Sequence, residues 1–437
     1  MNQQQSKKIF EQATQVLVGG VNSPVRSFKR VGGIPLVLAG AQGAYVFDAD
    51  KNKYCDLVMG YGPHLFGHNH PKLVEHITKS LRGATSYGFL TAEEVHWAER
   101  LLELFPAADK VRVTSSGTEA CTTAIRLARG HTGRNIIVKF SGHYNGHVDS
   151  LLVESGSGLA TLSESSAQAD SKGLPEELIR LSRVLKFNDI EGLENLFAKE
   201  GKSIAALILE PVMGNMGVVK PDPNFLKACR KVTAETGALL IFDEVMTGLR
   251  VSKYSAQGLY DVKPDLTCLA KIAGGGLPLG ALVGPAKILD TLAPLGPVYQ
   301  AGTFSGNPVS ISAGLGMLEL IVKENPYERL ENLGFWLESF IQNKAIDLGL
   351  KVRVERVGSM ISTYFREGPV KDAEDCKNIR HDQFREFFWT LVENGILIPP
   401  SPFEAYFLAT AHDTDQVKNH LEKGFAKALE SVKLKCP

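Results

Sequence analysis

Four short stretches carry side chains suited to chemistry. Thr114-Ser115-Ser116-Gly117-Thr118-Glu119 stands between an apolar run, VRVT, and a helical pattern. A helix N-terminus presents free N–H groups and a positive dipole end, and small hydroxylated residues with glycine let a phosphate approach that backbone. Asp243-Glu244 closes the buried run ALLIFD. A carboxylate at the rim of an apolar strand needs a partner, and a protonated pyridine nitrogen is a suitable one. Lys271, in DLTCLAKIAGGG, follows an apolar run and precedes glycines that leave its ammonium uncrowded. A desolvated lysine loses its proton more easily and can attack a carbonyl. Gly142-His143-Tyr144-Asn145-Gly146-His147 follows NIIVKF and offers Tyr144 as a ring to stack on a flat cofactor.

Each stretch also has a plainer explanation: a helix cap, a structural ion pair, a lysine with its charged end in water. Their order is more specific than any one of them. A phosphate turn, an aromatic, a carboxylate and a lysine 28 residues further on are the parts needed to hold pyridoxal phosphate. No metal site is expected. His143 and His147 lack an intervening Glu and sit among glycines, and His64, His68 and His70 more simply shape a turn before Pro71.

The elements that must position these residues read as an α/β chain. From about residue 110, apolar runs alternate with helical stretches: VRVT, NIIVKF, IAALILE, a helix near 223–236, then ALLIFD. Runs apolar on both faces imply a mostly parallel sheet covered by helices, with its ligand at the C-terminal edge. A helix is expected over 6–18, stopping at Gly19-Gly20, with short strands at 34–39, 44–48 and 54–59. Further helices should start at Pro71 and after Thr91, where Glu94 completes a capping box. From about 325, helices over 327–345, 382–394 and 414–433 alternate with strands over 351–357, 360–365 and 396–398. We therefore expect an N-terminal segment (1–60) packing with a small α+β domain (325–437), and a large domain (61–324) between them. Residues 154–176 are small, polar and aperiodic, and read as a loop or lid.

Composition narrows the function. The 437 residues carry 48 Lys+Arg against 48 Asp+Glu, so there is no electrostatic footprint for nucleic acid or an anionic membrane. A small-molecule substrate is the better expectation. MNQQQSKKIF does not read as a signal peptide, and no run is long and apolar enough to span a bilayer. Six scattered cysteines without a C-x-x-C pair fit reduced thiols in a cytoplasmic protein.

The most distinctive segments are VGGVNSPVRSF (18–28), SSGTEA (115–120), EPVMGNMG (210–217), FDEVMTGLR (242–250), GGGLPLGA (274–281), QAGTFSGNP (300–308) and PPSPFEAYF (399–407). On these the chain resembles, over nearly its whole length, the class III branch of the fold-type I aminotransferases. VNSPVR, QAGTFSGNP and PSPFEA point toward members that exchange an amine within one molecule. The resemblance implies that Lys271 binds pyridoxal 5'-phosphate covalently, that Asp243 pairs with the pyridine nitrogen, and that the pyridoxamine form takes part in turnover. It implies that Ser116, Gly117 and Thr118 hold the phosphate, that Tyr144 stacks on the ring and that Asn215 lies beside it. Thr303 would reach the phosphate of a neighbouring subunit, making a homodimer. Ser23, Arg26, Tyr61 and Glu404 would line the substrate end, residues 154–176 would gate it, and the substrate could be handed over by the enzyme that makes it. Intermolecular ω- or β-amine transfer, or racemisation, at the same site remain alternatives. Gly60-Tyr61 where the family has Ser-Trp, Phe89-Leu90 for Ala-Pro, Asn145 for His and Ala270 for Gly depart from its pattern.

Overall fold

The computed structural model describes residues 2–153 and 171–436. Most of the expected loop, residues 154–170, lies outside this range.

Among the described residues fourteen strands form three sheets. The first three are β1 (Leu38–Gln42), β2 (Tyr45–Asp48) and β3 (Lys53–Asp56). Next come β4 (Lys110–Thr114), β5 (Ile136–Phe140), β6 (Ser182–Leu185), β7 (Ile204–Leu209), β8 (Leu239–Asp243), β9 (Leu266–Leu269) and β10 (Gly280–Gly284). The last are β11 (Arg353–Val357), β12 (Met360–Tyr364), β13 (Ile396–Leu397) and β14 (Tyr406–Phe407). The central sheet has the order β4-β10-β9-β8-β7-β5-β6. Its pairings from β9 to β6 are parallel, while β10 runs antiparallel to both β4 and β9. Six strands therefore point one way and β10 alone is reversed, so the C-terminal ends of the six share one edge.

Burial on both faces explains why the middle strands read as unbroken apolar runs. Leu240 and Phe242 of β8 join one core cluster with Leu207 and Leu209 of β7. Leu239 and Ile241 join another, with Ala206 and Ile208, on the opposite side. Both faces are covered, as parallel sheets require. On the second face lies the helix Gly117–Thr132, whose Ala120, Cys121, Ala124 and Ala128 are buried. Such small side chains let the helix axis lie close to the strands.

The terminal parts of the chain share a core. β13 pairs in parallel with β3, giving the sheet β1-β2-β3-β13. Val46, Tyr54 and Leu57 pack in one cluster with Phe387, Leu391, Leu421 and Phe425. The first helix, Gln4–Val16, stops before Gly19 and Gly20, whose φ values of 62° and 74° favour glycine. The helix Pro71–Ser80 starts at its proline, and Thr91 and Glu94 form the capping box of Ala92–Leu102. One expected strand is displaced: the chain at 34–39 is largely irregular and pairing begins only at Leu38. Among the described residues no helix is long and apolar enough to cross a membrane.

Candidate active site

A cleft of about 460 Å³ opens at the C-terminal edge of the central sheet. Ser116, Gly117, Thr118, Tyr144, Asn215, Asp243 and Lys271 all line it. Residues from five separate stretches thus meet because each lies at or after the end of a strand on the same edge.

At the expected phosphate turn, Ser116 is extended (φ −156°) and caps the helix Gly117–Thr132, its side chain accepting from the Glu119 N–H at 3.2 Å. The first N–H groups of an α-helix have no partner within it. Those of Gly117 and Thr118 therefore sit at the cleft with the positive end of a 16-residue helix behind them. Close approach is enforced from outside: a Cβ on Gly280 of β10 would strike the Ser116 backbone, and one on Gly117 would come within 2.8 Å of Val245. These contacts suit a phosphate cradle.

Asp243 ends β8 and is buried. Asn145 Nδ2 donates to its Oδ2 at 2.9 Å, Cys121 Sγ donates to the same oxygen at 3.3 Å, and the Val245 N–H donates to Oδ1 at 3.0 Å. Burial pushes the Asp243 carboxyl above the usual carboxylate range, while these donors pull it back. A cation placed against it would be held strongly, which is the property needed to keep a pyridine nitrogen protonated.

Lys271 opens a short 3-10 turn, Lys271–Gly274, directly after β9. Its φ of 48° lies in the left-handed region, which costs a non-glycine residue roughly 1–3 kcal/mol. Burial lowers its ammonium below the usual lysine range, against the pull of Glu404, Glu210 and Asp243. Burial of this kind favours the neutral amine over the ammonium.

Tyr144 is half-buried, and its phenol lies near Thr118. Its backbone N–H donates to Glu210 Oε1 at 2.8 Å, and Asn215 Nδ2 donates to Glu210 Oε2 at 3.0 Å. Burial raises the Glu210 carboxyl to about 8. His143 stays neutral under burial, its Nδ1 accepting from the Glu210 N–H at 2.9 Å. Among the described residues no three His, Cys, Asp or Glu side chains gather as metal ligands.

The expected substrate residues lie to one side. Arg26 and Tyr61 line an adjoining, mainly apolar cavity of about 580 Å³ that meets the first cleft at Gly60. Ser23 precedes the short turn Pro24–Ser27 that carries Arg26. Glu404 is buried and acts on the charge of both Lys271 and Tyr61, while Arg26 acts on Tyr61. Thr303 is exposed and stands outside the cleft of its own chain.

Sequence reading passed over three residues. Glu210 appeared only within a quoted segment, although a glutamate ending the buried run IAALILE is the same signal that marked Asp243. Lys139 is fully buried in β5, and its Nζ donates to the carbonyls of His143, Leu151 and Val153 at 3.2, 2.8 and 2.8 Å. It fastens the stretch that carries Tyr144. Arg250, also buried, donates to the carbonyls of Gly62 and Leu408 and ties down the turn that carries Tyr61. Neither cation has a sequence signal beyond lying in an apolar context. Glu244, singled out beside Asp243, faces away: it accepts from Ala256, Gln257 and Thr247 and is structural.

Comparison with known proteins gives the same picture. Residues 28–423 match the family model Aminotransferase class-III. The chain is 48% identical over 426 residues to a Thermus thermophilus protein named glutamate-1-semialdehyde 2,1-aminomutase, covering 97% of this chain and 99% of that one. It is 46% identical over 423 residues to a protein of the same name from Sulfurihydrogenibium azorense, covering 97% and 98%. The solved ω-transaminase from Sphaerobacter thermophilus superposes with a TM-score of 0.89 at 31% identity, covering 98% of this chain and 97% of that one.

Proposed function

The chain belongs to the class III aminotransferase family, and we propose that within it this protein is a glutamate-1-semialdehyde 2,1-aminomutase. It converts (S)-4-amino-5-oxopentanoate to 5-aminolevulinate, the precursor of tetrapyrroles. The observation that carries the reading is the convergence of Lys271, Asp243 and the Ser116–Thr118 turn in one cleft, in a chain nearly half identical to proteins of that name along almost their full length.

The residues fit pyridoxal phosphate: an anion cradle, a flanking phenol, a buried carboxylate and a lowered lysine lie on one edge. Pyridoxal phosphate supplies an aldehyde that condenses with amines and a ring that delocalises the electron pair left when a C–H bond breaks. Gly117 and Thr118 N–H groups with the Ser116 hydroxyl hold the phosphate. Asp243 holds the proton on the pyridine nitrogen. Tyr144 and Asn215 flank the ring. Lys271 Nζ would hold the cofactor and would serve as the base for the proton on the substrate carbon, a task favoured by the burial that lowers its ammonium. Arg26, with Ser23, grips the substrate carboxylate through two parallel bonds. Tyr61 and Glu404 bound the space between that carboxylate and Lys271.

Exposed Phe89, Leu90 and Phe304, which are 90%, 76% and 63% accessible in the single chain, are the kind of surface a second copy covers. A homodimer in which Thr303 completes the neighbouring phosphate site follows from this reading. So do a small domain made of 1–60 with 325–437, a cytoplasmic location, and handover of the unstable aldehyde from the enzyme that forms it.

Intermolecular amine transfer is the second reading, favoured by the likeness to the solved ω-transaminase. Supplying the semialdehyde to purified enzyme with no amine donor separates the two. Formation of 5-aminolevulinate supports the aminomutase, and its appearance only after a donor is added supports the transaminase.

A further inference from the structure

Glu210 is a carboxyl at the end of a strand, beneath the cleft, with no place in the scheme above. It is 2% exposed and lines the same cleft as Lys271 and Asp243. Three donors from two segments converge on it. The Tyr144 N–H reaches Oε1 at 2.8 Å; the Gly214 N–H reaches Oε2 at 2.8 Å; Asn215 Nδ2 reaches the same oxygen at 3.0 Å. Its own backbone N–H donates to His143 Nδ1 at 2.9 Å, adding a second tie to the Tyr144 segment. The loops after β5 and β7 leave paired strands, and this side chain bonds to both of them beyond that pairing. One loop brings Tyr144 to the cleft and the other brings Asn215.

We propose that Glu210 is a positioning residue that locks Tyr144 and Asn215 into a single wall of the cofactor cleft. This inference rests on the cofactor reading given above.

All three partners are donors, so the arrangement is complete only when Glu210 is ionised. A protonated carboxyl places a hydrogen on an oxygen that should accept, and the bonds that remain lose their charge assistance. Burial and the neighbouring Asp243 oppose ionisation, and the balance lies at about 8. The other charged or titratable groups facing it are Lys271 from the turn after β9, and His143 with Lys139 beyond it from β5. His143 is held neutral there. The wall should therefore tighten as pH rises through this range, and the cleft should bind the cofactor better above it.

The experiment titrates apoprotein with pyridoxal phosphate and reads the dissociation constant from the visible absorbance at pH 6.5 and pH 9. Glu210→Gln keeps the volume but can never take the ionised form. Relative to the parent, its dissociation constant should be nearly unchanged at pH 6.5 and weaker by about tenfold or more at pH 9, the scale of one charged hydrogen bond. A gap that widens with pH is what a merely structural role would not produce. Should Glu210→Gln not fold, Asn215→Ala decides: its loss should likewise be larger at pH 9, because the bond it removes is stronger to a carboxylate. A gap that is absent, or the same at both pH values, overturns the inference. If the parent itself gives no absorbance change and no label on Lys271, the cofactor reading fails instead.

Discussion

Asn145 Nδ2 donates to Asp243 Oδ2 at 2.9 Å, across the floor of the cleft and between the ends of two strands. Both residues are buried, and the amide cannot titrate. The carboxylate proposed to hold the pyridine proton is therefore oriented by a partner whose charge is the same at every pH. An imidazole, which the family usually has at this position, would lack that property.

Replacing Asn145 with Ala should remove that donor and leave Cys121 and the Val245 N–H to hold Asp243. The expected cost is about 1–3 kcal/mol in stability. Losing a bond to the ionised form also raises the Asp243 carboxyl further. The acid limb of the pH–rate profile should move to higher pH. Thermal melts and a pH profile of turnover check both outcomes, and an unmoved limb would count against Asn145 as the orienting partner.

Lys271→Ala should lower turnover by roughly 10²–10⁴-fold from loss of the base alone, and further from loss of attachment. Borohydride reduction followed by peptide mapping should label the peptide holding Lys271 in the parent and nothing in the variant. Label on another lysine would undo the assignment.

Arg26→Ala should weaken substrate binding more than it slows chemistry. Arg26 is exposed at the mouth of its cavity and makes no ion pair among the described residues, so it is available to a carboxylate. Losing two charge-assisted bonds should reduce kcat/KM by about 10²-fold, mostly in KM. Arg26→Lys keeps the charge but not the parallel fork, and should recover only part of that loss. Steady-state kinetics on the three proteins give the comparison.

The apoprotein should lose stability as pH rises from about 4.5 to about 8. Glu210 has a folded value of about 8 against an ordinary 4.5. In that window the folded chain holds a proton that the unfolded chain releases, so each pH unit costs ~1.4 kcal/mol at most. The full effect is present below the lower value, is lost progressively as pH rises, and changes no further above the upper one. Asp243, also raised, acts in the same direction. Denaturant melts of the cofactor-free protein across this range should slope downward, and Glu210→Gln should flatten the slope.

Much of this was legible in the sequence, for physical reasons particular to each element. Apolar runs such as ALLIFD are unmistakable because β8 is covered on both faces, and a charged residue ending one announces a rim. Pro71 and the Thr91–Glu94 pair mark helix starts because capping is local. What failed is what depends on partners distant in the chain. β10 has a glycine at each end, Gly280 and Gly284, and no strand signal; it is a strand because β4 and β9 flank it. β6 is half-buried at the sheet edge and too polar to stand out. Residues 34–36 have strand character but no neighbour to pair with. In the site, Lys271 and Asp243 showed themselves through context. Lys139 and Arg250 did not, since a buried cation bonded to distant carbonyls looks, in one dimension, like any surface cation.

The lone reversed strand has a consequence for how the cleft can be altered. β10 begins at Gly280, against the backbone of Ser116, only a few residues after the chain leaves Lys271. The proposed anchoring amine and the proposed anion cradle are thus stitched to opposite ends of one short tether, GGGLPLG. Lengthening or shortening that tether by a residue would slide Leu279 or Ala281 into the place of the glycine and wedge the cradle open. Attachment and phosphate grip would be lost together, by a change that touches neither Lys271 nor Ser116.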